Sequence, residues 1–207
     1  MLKVLGRASS INVRKVLWTL DEVGAEFVHE PWGSGSLSLR SPEYLALNPT
    51  GLVPVLQHDG FALWESNSIC RYLAGAFGRS DLLPLEPRAR SLVEQWMDWQ
   101  ATELNDAWRY AFMGLVRKSA AHQDPAAIWA SLAAWDQNMA ILDAALARTG
   151  AYVVGEEFTL ADVVLGLSVH RWRMTPSKKP DLAAVQAYGA RLAQREGFRK
   201  HCANGTP

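Results

Sequence analysis

Only two cysteines occur in the 207 residues, Cys70 and Cys202, far apart and in neither a CxxC nor a metal-ligand spacing. A disulfide framework or zinc site is left without support, no metal is expected, and reduced thiols in a cytoplasmic chain are. Net charge is missing too: 21 Lys and Arg stand against 21 Asp and Glu, with seven of each sign in residues 1–80. Nothing steers the whole molecule toward nucleic acid or anionic lipid. Long apolar runs are absent as well. The longest strongly apolar stretch, Val163 to Val169, falls far short of the roughly 20 residues of a spanning helix. Lys3, Arg7, Arg14 and Lys15 break the N-terminal segment before it reaches signal-peptide length, so no membrane partner is expected.

The chain is nevertheless 49% hydrophobic and 10% aromatic, enough to build a packed core. Strand-like patterns stop after about residue 86, which predicts an α/β domain followed by an all-α domain. The expected boundaries are 1–78 for the first domain, 79–87 for a linker containing Pro84 and Pro87, and 88–207 for the second. In the first, a strand at Lys3–Leu5, a helix to Gly24 and a strand at Glu26–Trp32 make a βαβ unit. A short helix from Ser41 to Leu47, a hairpin of 53–56 with 61–64, and a helix capped by Ser66 complete it. Helical stretches follow near 88–117, 125–149, 160–172 and 181–194, the third opened by a capping box of Thr159 and Asp162 with Phe158 and Val163 as its staple.

Three segments of the first domain can carry chemistry. The turn Gly6–Asn12 offers hydroxyl and amide donors at a helix N-terminus, where free N–H groups and the helix dipole favour an anion or thiolate. Val53-Pro54 opens a strand with a proline that cannot complete a ladder; a cis peptide there leaves the Val53 backbone free for a ligand. Glu65-Ser66 supplies a carboxylate for an ammonium group, and a hydroxyl plus helical N–H groups for a carboxylate. Simple capping by Ser9, Ser10 and Ser66 is the alternative account of the same residues. Together the segments fit an extended, zwitterionic, thiol-bearing peptide.

The runs Ser10-x-Asn12-Val13-Arg14-Lys15-Val16-Leu17-Trp18, Asn48-Pro49-x-Gly51-x-Val53-Pro54-Val55-Leu56, Glu65-Ser66-Asn67-Ser68-Ile69 and Phe158-Thr159-Leu160-Ala161-Asp162 resemble the cytosolic glutathione transferases. The resemblance implies a thioredoxin-like N-terminal domain that holds glutathione, an α-helical C-terminal domain that holds a second substrate, and a homodimer. With no Tyr before Tyr44, it points to the serine-type and bacterial branches, theta- or beta-like. Ser10 would donate to the glutathione sulfur, with Asn12 and then Ser9 as competitors. Glu65 and Ser66 would hold the γ-glutamyl end, and Val53 would pair with the cysteinyl unit beside a cis Pro54. Many relatives carry Lys where this chain has Leu52; Arg40 is the candidate replacement for that contact to the glycyl carboxylate, Arg14 a poorer one expected to be solvated.

Cys70 falls inside a helix and is not cast as nucleophile. Trp108, Tyr110, Phe112, Met113 and Trp172 are candidates for an apolar second-substrate wall, with ordinary core as the alternative; Trp96 and Trp99 are read as core or dimer contacts. Arg171, Arg173, Lys178 and Lys179 are read as a solvated basic face. The implied activity is detoxifying conjugation of glutathione to a small hydrophobic electrophile, or reduction of a peroxide. Glutathione enters as co-substrate and no resident cofactor is expected. A glutathione-binding regulatory protein without catalysis, or an isomerase or dehalogenase of the same architecture, are the alternatives.

Overall fold

The computed structural model describes residues 1–205, which divide into one compact unit from Met1 to Pro84 and a second from Leu85 onward. The first unit runs β1 (Leu2–Leu5), α1 (Ile11–Val23), β2 (Phe27–Glu30), α2 (Pro42–Leu47), β3 (Val55–His58), β4 (Phe61–Trp64) and α3 (Ser66–Ala76). Its sheet has the order β2-β1-β3-β4, with β1 parallel to β2 and the other neighbours antiparallel. This is the expected thioredoxin-like arrangement.

The central strands are the apolar ones, and Val4, Leu5, Val55 and Leu56 are buried. Val13, Val16, Leu17 and Leu20 of α1, with Ile69, Cys70 and Leu73 of α3, are buried at helical spacing. Gly24 ends α1 in the left-handed region at φ 69, where a Cβ would be strained. Asp59 and Gly60 close the hairpin with φ 48 and 87, the two positive values that match the twist of paired strands. Strand β3 begins two residues later than expected, because Pro54 has no N–H for the ladder.

The second unit holds α4 (Pro87–Trp99), α5 (Asn105–Leu115), α6 (Pro125–Thr149), α7 (Leu160–Met174), α8 (Ala183–Leu192) and α9 (Glu196–His201). The single helix expected over 88–117 is instead α4 and α5 joined by a π turn at Gln100–Leu104. The Gln100 side chain is fully buried, and its amide donates to Asn105 Oδ1 and Ser168 Oγ, both at 3.1 Å. Satisfying that buried amide rewards the wider turn. Six-residue α9 lies beyond the helical stretches the sequence predicts and is too short to show a period.

The Thr159–Asp162 box is present, but it is one part of a larger hub. The buried Asp162 carboxylate accepts from the Thr159 N–H at 2.9 Å, the Thr159 hydroxyl at 3.0 Å, the Val153 N–H at 3.1 Å and the Tyr188 hydroxyl at 2.9 Å. Burial pushes its carboxyl up to about 6, against the pull of these donors. Among the described residues no helix is long and apolar enough to cross a membrane.

Candidate functional site

Strand register brings the three sequence segments to one place. Leu5 pairs with Val55, and Val55 pairs with Trp64. The chain leaving β1, the chain entering β3 and the chain leaving β4 therefore sit side by side at one end of the sheet. Gly6 lets them close up. A Cβ there would lie 2.6 Å from Val13 Cγ2 and 3.0 Å from Val53 Cβ, and φ at this residue is +151, so α1 and the Val53 loop approach only over a bare backbone.

Ser10 is the N-cap of α1, with φ −84 and ψ 127, yet its side chain makes no capping hydrogen bond. The hydroxyl is thus not committed to capping, contrary to the simple capping account. The first turn of α1 holds no acidic residue, so the positive end of its dipole is uncompensated by the helix itself. Asn12, the second residue of α1, has a buried Oδ1 with no hydrogen-bond partner. Ser9 already has an interaction within the fold.

The Val53-Pro54 peptide is cis, and Val53 lies outside the β1–β3 ladder. The loop before it is tied down. Asn48 Oδ1 accepts from the Thr50 N–H at 3.0 Å and the Thr50 hydroxyl at 2.8 Å, while Asn48 Nδ2 donates to the Leu52 carbonyl at 2.8 Å. The Leu52 side chain is 62% exposed. Arg40 reaches this loop: its Nη1 lies 2.8 Å from where a Cβ on Gly51 would be, and Gly51 has φ +63. The guanidinium therefore rests on the loop and remains exposed. Arg14, expected to be solvated, is 1% exposed on the packed face of α1, where it cannot reach a ligand in solvent.

Glu65, not Ser66, is the N-cap of α3. Its backbone has φ 71 and ψ 109, a sparsely populated region that costs a non-glycine residue roughly 1–3 kcal/mol. Glu65 is exposed, and Ser66 follows as the first helical residue. No sequence signal reports a positive φ on glutamate. Behind this turn, Lys15 Nζ of α1 donates to Asn67 Oδ1 of α3 at 3.2 Å. Cys70 is fully buried and accepts from the Thr19 hydroxyl at 3.2 Å. Burial pushes its thiol up to about 11, which makes it inert as a nucleophile.

In the helical unit, three of the five expected wall residues are core. Trp108 and Phe112 are 8% and 3% exposed, and the Arg171 guanidinium covers both rings at 4.6 and 4.1 Å. Trp172 is 3% exposed and donates from Nε1 to Asp136 at 2.7 Å. Tyr110, its ring tilted against His122 at 4.9 Å, and Met113 are half-buried. The basic run is likewise not one solvated face. Arg173 and Lys178 are exposed, whereas Arg171 is buried and Lys179 lies 5.6 and 5.3 Å over the Trp135 and Trp172 rings. Burial lowers the pKa of Lys179, and cation–π contact repays part of that desolvation. Trp96 and Trp99 meet edge to face at 5.2 Å and, with Gln95 and Ile141, line a cleft of about 330 Å³.

The sequence profile of the glutathione S-transferase N-terminal domain matches residues 9–76, a span that holds the Ser10, Val53 and Glu65 segments. Glutathione S-transferase GstB of Escherichia coli K12 is 37% identical over 205 residues, covering 97% of each chain. Glutathione S-transferase 3 of Zea mays is 33% identical over 96% of this chain and 92% of its own. Among solved structures, the theta class enzyme of Xanthomonas axonopodis pv. citri with glutathione bound superposes with a TM-score of 0.90 at 37% identity, covering 97% of this chain and 96% of that one. Likeness of this extent reaches both units and the three-segment end of the sheet alike, and by it the chain belongs to the glutathione S-transferase family.

Proposed function

We propose that this protein is a glutathione transferase that presents glutathione as a thiolate to a small apolar electrophile. The observation that carries the reading is the register: Leu5, Val55 and Trp64 stand in line, so an uncommitted hydroxyl at a helix N-terminus, the Val53 backbone outside the ladder and a carboxylate converge. Each matches one part of the tripeptide. Glu65 receives the γ-glutamyl ammonium group, while Ser66 and the start of α3 receive its carboxylate. The Val53 backbone pairs with the cysteinyl unit beside Pro54. Arg40, resting on Gly51, serves the glycyl carboxylate in place of the lysine absent at Leu52.

Ser10 then donates to the sulfur. A donor there stabilises thiolate over thiol, lowers the thiol pKa toward neutrality and keeps the nucleophile present at working pH. Attack on an electrophilic carbon forms the carbon–sulfur bond as the leaving group departs with the bonding pair. Tyr110 and Met113, still partly exposed, are the remaining candidates to meet the second substrate, and detoxification in the cytoplasm is the setting that fits. Titration calorimetry tests the carrying claim. Glu65→Ala is expected to weaken glutathione binding at least about tenfold, the worth of one charge-assisted contact. Unchanged affinity would remove Glu65 from the site.

A homodimer is part of the same proposal. Phe61 in the first unit and Leu92 and Ile141 in the second are 48%, 48% and 53% exposed, and the Trp96–Trp99 cleft adds apolar surface that a monomer would leave wet. Two-fold pairing is the commonest way to cover such surface. Sedimentation at micromolar concentration should therefore give about twice 22.9 kDa; a clean monomer would refute it.

A further inference from the structure

From the geometry around Leu52 we infer that Tyr44 is a positioning residue for glutathione binding, acting through the Leu52–Val53 peptide. The Tyr44 hydroxyl donates to the Leu52 carbonyl at 2.7 Å, and Asn48 Nδ2 donates to the same oxygen at 2.8 Å. Two donors on one carbonyl use both of its lone pairs and fix its direction. The only cis peptide among the described residues is Val53-Pro54, so Leu52–Val53 is trans. In a trans peptide the N–H points opposite to the C=O. Turning the Leu52 carbonyl inward onto Tyr44 and Asn48 therefore turns the Val53 N–H outward, to the side on which an extended ligand would pair.

Tyr44 is built to hold that oxygen still. Its ring is fully buried beside Trp32, at 5.1 Å and tilted, in a cluster with Leu5 and Val55 under Leu37, Leu39, Leu47 and Val53. Its own N–H is held by Ser41 Oγ at the cap of α2. A fully buried ring packed on neighbouring side chains places its hydroxyl more firmly than an exposed loop side chain does. Burial pushes the phenol up to about 12, so it stays protonated and donating across any working pH. The Thr50 hydroxyl adds a bond from the Leu52 N–H at 3.3 Å, which closes the loop on its other side.

The inference rests on the glutathione-transferase reading, and Tyr44→Phe separates the two. That change keeps the packed ring and deletes only the donor. Calorimetry and steady-state kinetics should show glutathione Kd and KM raised about three- to tenfold, the worth of one neutral hydrogen bond. Turnover at saturating glutathione, the thiolate titration and the KM of the electrophile should stay within about twofold, because the sulfur contact comes from a different segment. Asn48→Ala removes the second donor from the same oxygen, together with the acceptor for the Thr50 N–H and hydroxyl, and should raise the glutathione Kd at least as much, which keeps the test open if the phenylalanine variant folds poorly. Unchanged glutathione affinity in both variants, or a loss confined to turnover, overturns the role of Tyr44. If the wild-type protein binds no glutathione, the transferase reading fails and takes this inference with it.

Discussion

Alanine in place of Asp162 is expected to lower the stability of the protein by about 3–5 kcal/mol, a large share of the roughly 5–15 kcal/mol a folded chain usually has. The carboxylate is the common acceptor for the Thr159 and Val153 N–H groups and for the hydroxyls of Thr159 and Tyr188. Its removal leaves buried donors from three separate stretches of chain unpaired, at about 1–3 kcal/mol each. Chemical denaturation at pH 7 measures the change, and a loss below about 1 kcal/mol would show that water replaces the carboxylate at little cost. The pH dependence has a definite sign. Because the folded-state pKa is raised from 3.8 to about 6, the native state binds the proton more tightly than the unfolded chain. The proton-linked part of the Asp162 contribution is full below about pH 4, is lost as pH rises through 6, and leaves the pH-independent part above it. The wild type should therefore lose stability relative to Asp162→Ala across that window as pH increases.

The second large effect is on turnover. Ser10→Ala is expected to lower the rate near neutral pH by about 100-fold, the usual consequence of deleting one donor to a developing or resident anion. Glutathione affinity should change only a few-fold, since the thiol adds little to ground-state binding. The pKa of the bound thiol should rise, seen in the thiolate absorbance, and higher pH should restore part of the rate. Asn12→Ala is the control, because Asn12 Oδ1 is buried without a partner in the same turn. If that change alone shifts the titration, the role passes to Asn12. If neither does, the N–H groups at the start of α1 hold the thiolate unaided.

Much of the first unit is legible in the sequence because its signals are local. Gly24 stops a helix and Asp59-Gly60 turns a hairpin, each by a backbone requirement that the residue itself announces. The site segments are legible for the same reason, each being a strand end or a helix start. What escapes is anything set by a distant partner. Arg171 and Lys179 read as solvated charges until the fold lays them on Trp108, Phe112, Trp135 and Trp172. The same stacking turns Trp108 and Phe112 from wall into core. Asp162 advertises its cap to Thr159, three residues away, but not its bond to Tyr188, 26 residues away. The π turn at Gln100 coincides with a side-chain bond to Ser168, 68 residues on, which no helical period can encode.

The backbone of Glu65 sets two kinds of selection against each other. At φ 71 glycine is the residue that relieves the conformation, and it also deletes the carboxylate that we propose receives the γ-glutamyl ammonium group. Variants ranked by melting temperature and variants ranked by glutathione capture will thus diverge at this one codon. An engineer seeking a hardier protein through surface consensus or heat challenge would be drawn to the substitution that disarms it.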